Sequence, residues 1–198
     1  MLATASLISL LAASASALAL PASNKRDVSC PWNGVANGSG PFTLLSVFDA
    51  DTTVQKPVGL GTNGLADSST TESIASVVAT TFQLADGGIT AAPLTGGESS
   101  VSDPVLPPNG WLSFIQPDEG VTIPPASVYC ELFNTSPHGT EFPYALSIAG
   151  DSDSFSLCKS STSAQELIIY EATEDGAANA GLDYSTCEPV HVHLIYAD

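Results

Sequence analysis

Apolar residues along this chain recur in short runs rather than at helical spacing, and Gly, Pro, Asp, Asn or Ser closes each run. Alternation and β-branched content predict strands over Phe42–Phe48, Val54–Leu60, Thr80–Leu84, Gly88–Ala92, Gly110–Ile115, Ser127–Phe133, Tyr144–Ile148, Phe155–Lys159, Glu166–Ala172 and Val190–Tyr196. Between two of these, Ala85-Asp86-Gly87-Gly88 signals a tight hairpin, because Asp-Gly and Gly-Gly supply the positive φ that such turns require. Thr71–Thr80 reads as a short helix, although its Ser, Thr and Val also suit a strand. Fourteen prolines, among them Pro107-Pro108 and Pro124-Pro125, divide the chain into loops, and Thr62–Ser73 and Leu94–Pro108 read as long surface loops. No internal repeat stands out, which weakens propeller and solenoid readings. The expectation is an all-β fold, a single-domain antiparallel β-sandwich or barrel of about ten short strands.

One stretch breaks this pattern. Residues 2–20 are an unbroken run of Leu, Ala, Ser, Ile and Thr, with small residues at Ala15, Ala17 and Ala19 where a signal peptidase would cut. Lys25-Arg26 follows at once and reads as a dibasic processing site. The chain therefore divides into a signal peptide (1–19), a short pro-segment (20–26) and a β-rich secreted domain (27–198). The expected location is extracellular or at the cell wall. No membrane anchor is expected, since no second long apolar run occurs and Leu194–Asp198 lacks the features of a lipid-anchor signal.

Charge narrows the partners. Processing at Arg26 takes the formal charge from −17 to −19, because two basic residues leave and no acidic one does. Only Lys56 and Lys159 then remain positive, so nucleic acid and anionic membrane surfaces are repelled. Cys30, Cys130, Cys158 and Cys187 form an even set, which in an oxidising compartment predicts two disulfides with three connectivities. The preferred pairs are Cys158 with Cys187 and Cys30 with Cys130, the second tying the processed amino terminus to the core. Zinc, the rival reading, lacks any C-x-x-C pair. Asn37-Gly38-Ser39 and Asn134-Thr135-Ser136 match the N-glycosylation acceptor and predict exposed loops.

His191-Val192-His193 is the sharpest candidate for chemistry. Residues two apart in a strand share a face, so both imidazoles could reach one metal, with His138 or an acidic side chain as third ligand. The plainer reading, which is favoured, is a solvent-facing pair on a strand whose Val190, Val192 and Leu194 face the core. His138, Cys187 and His191 also stand in blue-copper order, but the weak axial Met is missing. Asp49/Asp51 and Asp151/Asp153 lack the rest of a calcium loop and read as turn caps. No nucleophile elbow occurs, while Asp118, Glu119, Glu131 and Glu171 remain candidates for a two-carboxylate glycosidase. Trp32, Trp111, Phe114, Tyr129, Phe133, Phe142 and Tyr144 fit either a sugar-stacking platform or core packing, with Trp32 and Trp111 the two whose exposure matters most.

Pro41-Phe42-Thr43-Leu44-Leu45 soon after the leader, then Phe155-Ser156-Leu157-Cys158, a strand at Leu167–Tyr170 and a last segment from Cys187 to Tyr196 resemble small secreted fungal proteins of the PhiA-like cell-wall family. Cys30, Cys130 and the extreme acidity depart from that pattern. In length, acidity and sequons the chain is also similar to the non-catalytic small subunits of secreted fungal laccases. These resemblances imply a wall-associated protein or an accessory subunit. The expected function is therefore non-catalytic association, without a cofactor, with a larger secreted enzyme or a cell-wall glycan. The alternatives are a metal-dependent enzyme or binder built on His191 and His193, and a carbohydrate-binding module or glycosidase.

Overall fold

The computed structural model describes residues 30–61, 66–67, 77–94, 99–103, 110–118, 121–133 and 141–197. Short strands dominate, as the alternation requires: β1 (Gly34–Val35), β2 (Phe42–Phe48), β3 (Gln55–Gly61), β4 (Ala66–Asp67), β5 (Val77–Ala79), β6 (Thr81–Ala85) and β7 (Gly88–Ala92). They are followed by β8 (Ser100–Ser102), β9 (Phe114–Ile115), β10 (Tyr129–Phe133), β11 (Tyr144–Ile148), β12 (Phe155–Ser160) and β13 (Glu166–Tyr170). A short helix α1 (Glu174–Asn179) and a long strand β14 (Leu182–Tyr196) complete the order. Residues 77–79 are strand, which removes that end of the helix expected over Thr71–Thr80; residues 71–76 lie outside the described residues.

Among the described residues all the strand pairings are antiparallel. One sheet runs β1–β10–β11, through the carboxyl-terminal part of β14, to β2 and on through β6, β7, β8 and β9. The second carries the amino-terminal part of β14 with β12, β13, β4, the end of β3 and β5. β3 and β14 therefore belong to both sheets, and among the described residues β1, β5 and β9 each pair on one side alone, so the arrangement is an open sandwich. The Asp86-Gly87 turn takes positive φ at both residues, 51° and 74°, and closes the β6–β7 hairpin as its composition demands.

Between the sheets lie Phe42, Leu44, Leu60, Phe82, Leu84, Ile89, Tyr129, Leu146, Phe155, Ile168, Val190, Val192 and Leu194, all essentially buried. β13 is apolar on both faces: Ile168 enters this core, while Leu167 and Ile169 join Cys158, Ala177 and Leu182 in a second cluster under α1. The helix starts because Thr173 Oγ1 accepts from the Gly176 amide and Glu174 and Asp175 occupy its first turn, where the helix dipole favours anions. Disulfides join Cys30 to Cys130 and Cys158 to Cys187, as preferred from the sequence. The first fastens the start of the described chain to β10, and the second staples β12 to β14.

Candidate functional site

β14 projects Val190, Val192 and Leu194 into the core, which puts His191 and His193 on the opposite face. The two rings lie 6.2 Å apart but do different things. His191 places Nδ1 2.6 Å from an oxygen of Asp49, just past β2, and Nε2 3.1 Å from an oxygen of Asp153, just before β12. Both of its nitrogens are thus engaged by carboxylates. His193 does not face water as expected: it is 4% exposed, its ring packs 4.9 Å from that of Phe142, and Nδ1–H donates to the Tyr144 carbonyl at 3.1 Å. Burial lowers its pKa to about 4 and keeps it neutral, with His191 adding to the effect and the Tyr144 carbonyl and Asp49 opposing it. His193 is covered because the Phe142 ring and the Tyr144 backbone pack over this part of β14.

Among the described residues, no group of three His, Cys, Asp or Glu side chains is disposed to hold a metal ion. His138 lies outside the described residues. Cys187, the thiolate a blue-copper site would need, is bonded to Cys158.

The acidic clusters act as turn chemistry. Asp51 accepts from the Thr53 amide and hydroxyl, at 3.0 and 2.6 Å, and these bonds hold its carboxyl below the usual range. Asp151 accepts from the Asp153 amide, the Ser154 hydroxyl and the Tyr170 hydroxyl. Partial burial pushes Asp151 up, but these donors outweigh it and the carboxyl stays low. Burial and the same contact push Tyr170 up to about 12.

Of the other carboxyls weighed for sugar chemistry, Glu131 is the unusual one. It is 5% exposed on β10, and the Tyr196 hydroxyl donates to it. Burial raises its pKa, against the opposing pull of Tyr196. Glu171 is an exposed turn residue at φ 52°, Asp118 is exposed, and Glu119 lies outside the described residues.

The aromatics divide sharply. Tyr129, Phe114 and Phe142 are buried, and Trp111 is half-buried, bridging to Ile169. Trp32, by contrast, is 94% exposed. It sits in a turn closed by the Gly34 amide on the Pro31 carbonyl, two residues after the Cys30 disulfide. Val35 on β1 and Phe133 on β10, whose amide donates to the Asn33 carbonyl at 2.8 Å, are 51% and 55% exposed. Phe133 continues inward through edge-to-face contacts with Tyr144 and then Tyr196, at 6.0 and 5.4 Å. Asn37 lies exposed three residues past Gly34, its Oδ1 accepting from the Asp86 amide at 2.9 Å. Asn134, Lys25 and Arg26 lie outside the described residues. No protein-family model, curated protein or solved structure matches the chain.

Proposed function

We propose that this is a secreted, non-catalytic protein that works by association, as an accessory subunit of a larger secreted protein. The observation that carries the reading is Trp32, held almost wholly in water by a turn that a disulfide and a backbone hydrogen bond fix. Large aromatic side chains on rigid supports bind with little ordering cost and dominate the energetics of protein contacts. Val35 on β1 and Phe133 on β10 add exposed apolar side chains on the two strands that adjoin this turn, and exposed apolar surface of this kind favours a protein contact. A second copy is disfavoured as occupant, because two processed chains, each at −19 after loss of Lys25 and Arg26 from the formal −17, repel. The complementary partner is a different protein, with an apolar seat for the indole and a neutral or basic rim. Binding the native state of that partner would stabilise it by mass action.

Fractionation of native culture fluid with native-gel analysis tests this. A co-migrating protein should be lost with Trp32→Ala, and its thermal midpoint should drop when the wild-type chain is removed. A chain running alone at every stage, or one retained on insoluble chitin or glucan through Trp32, overturns the reading, the second outcome in favour of a carbohydrate-binding module.

A further inference from the structure

Residues 36–39 lie across the buried Glu131 carboxyl. Their backbone is tied to the β6–β7 hairpin by the Gly87 amide on the Ala36 carbonyl, at 2.8 Å, and by the Gly38 amide on the Leu84 carbonyl, at 3.0 Å. The Asp86 amide adds a third tie through Asn37 Oδ1. A Cβ at position 38 would stand 2.8 Å from the Tyr196 hydroxyl and 3.3 Å from a Glu131 oxygen, so only glycine lets the segment approach so closely. Ser39 also hydrogen-bonds to Tyr196. The other end of this amino-terminal stretch is anchored beside Glu131 by the Cys30–Cys130 bond.

Val35 on β1 and Leu146 on β11 stand opposite Glu131 in register, the Tyr196 hydroxyl of β14 donates to its carboxyl, and Gly38 lies overhead. Tyr196 is the titratable group facing Glu131, Tyr144 touches the Tyr196 ring, and Asp86 is exposed on the neighbouring turn. One hydroxyl donor is thin compensation for a carboxylate taken out of water.

We infer that residues 36–39 form a pH-sensitive strap, closed over Glu131 while that carboxyl is protonated and lifted to admit water when it ionises. The inference stands apart from the association reading, because it concerns how the segment is held and not what the surface binds. Burial of the carboxyl sets the direction: the folded value lies above the ordinary 4.5, so closure is complete below that pH and is lost as pH rises through the folded value. Because the segment carries the sequon Asn37-Gly38-Ser39 and continues from the turn that holds Trp32, opening would loosen the backbone around both.

Amide hydrogen exchange from pH 4 to 8, expressed as protection factors, reads the strap directly at Gly38 and Gly87. In the wild-type protein, protection at these amides should fall with rising pH by up to about tenfold per pH unit, the limit for one linked proton. In Glu131→Gln it should stay level. Tyr196→Phe removes a hydrogen bond that favours the ionised form, so the fall should move to higher pH; this variant also decides the matter if Glu131→Gln does not fold. Protection independent of pH in the wild type, an unchanged fall in Glu131→Gln, or a fall moved to lower pH in Tyr196→Phe overturns the strap.

Discussion

Replacing His193 with Gln should abolish an acid sensitivity whose size follows from the ring's surroundings. A protonated imidazole at this position would place a charge against Phe142 in a site that is 4% exposed, with the Tyr144 carbonyl as its hydrogen-bond acceptor. The folded pKa is therefore about 4, against 6.5 for the free side chain. Because the folded value is depressed, the contribution to stability is fully present above pH 6.5 and is lost as pH falls through about 4. A tenfold change in proton affinity corresponds to about 1.4 kcal/mol, so the gap between the two values amounts to about 3 kcal/mol. Urea unfolding at intervals from pH 7 to 3.5 measures it, comparing wild type with His193→Gln. Carboxylates away from the site titrate alike in both proteins, and so do the bonds that hold Asp51 and Asp151, so they cancel in the difference. The wild type should lose about 3 kcal/mol more than the variant over this range. Equal losses, within about 0.5 kcal/mol, would mean that charging His193 meets no burial penalty.

Ala149 takes φ 52° ahead of Gly150 at φ 90° in the β11–β12 turn, a conformation that Asn or Gly adopts far more readily, so Ala149→Asn should stabilise by about 1 kcal/mol in thermal unfolding. No gain, or a loss, would indicate that the turn relaxes in solution. The Tyr129 hydroxyl is fully buried with no hydrogen-bond partner among the described residues, so Tyr129→Phe should raise unfolding free energy by about 1 kcal/mol. A loss of that size would reveal a partner for it. Removing the Cys30–Cys130 bond, which spans 100 residues, should lower stability by about 4 to 5 kcal/mol, and removing Cys158–Cys187, which spans 29, by about 3 to 4 kcal/mol. Denaturant midpoints of the paired Cys→Ala variants check the order, and a larger loss from the shorter loop would contradict the chain-entropy account.

Strands proved legible where alternation and turn chemistry coincide. β2, β7 and β11 have the limits expected, because each lies between turn signals, Pro41 and Asp49, Gly87 and Pro93, and Pro143 and the Ala149-Gly150 turn. β14 begins at Leu182, well before the expected Val190, since its first half is polar and is held as a strand by backbone pairing to β12 across a bulge, which periodicity does not register. The strand expected over Gly110–Ile115 shrinks to β9, with Trp111 making a lone bridge to Ile169. Helix α1 is too short to show a period, yet Thr173, Glu174, Asp175 and Gly181 carried its start and stop signals. At the candidate site, the shared face of His191 and His193 was readable from their spacing. Their different fates were not, since these depend on Phe142, Asp49 and Asp153, which lie 38 to 142 positions away in the chain or arrive from a separate loop.

The long-range contacts of Lys56 and His191 with carboxylates cluster at one region of the fold. Lys56 on β3 meets Glu166 on β13, 110 positions away, across the second sheet. His191 on β14 reaches from the end of β2 to the start of β12. Both contacts therefore lie along the region where strands of the two sheets come together through β3 and β14. An imidazole moving protons in a reaction needs a nitrogen turned toward a substrate, and His191 has both turned toward carboxylates that belong to its own scaffold. Substituting His191 should accordingly loosen the junction of β2, β12 and β14 as a structural unit, and the partly exposed geometry limits that loss to about 1 kcal/mol.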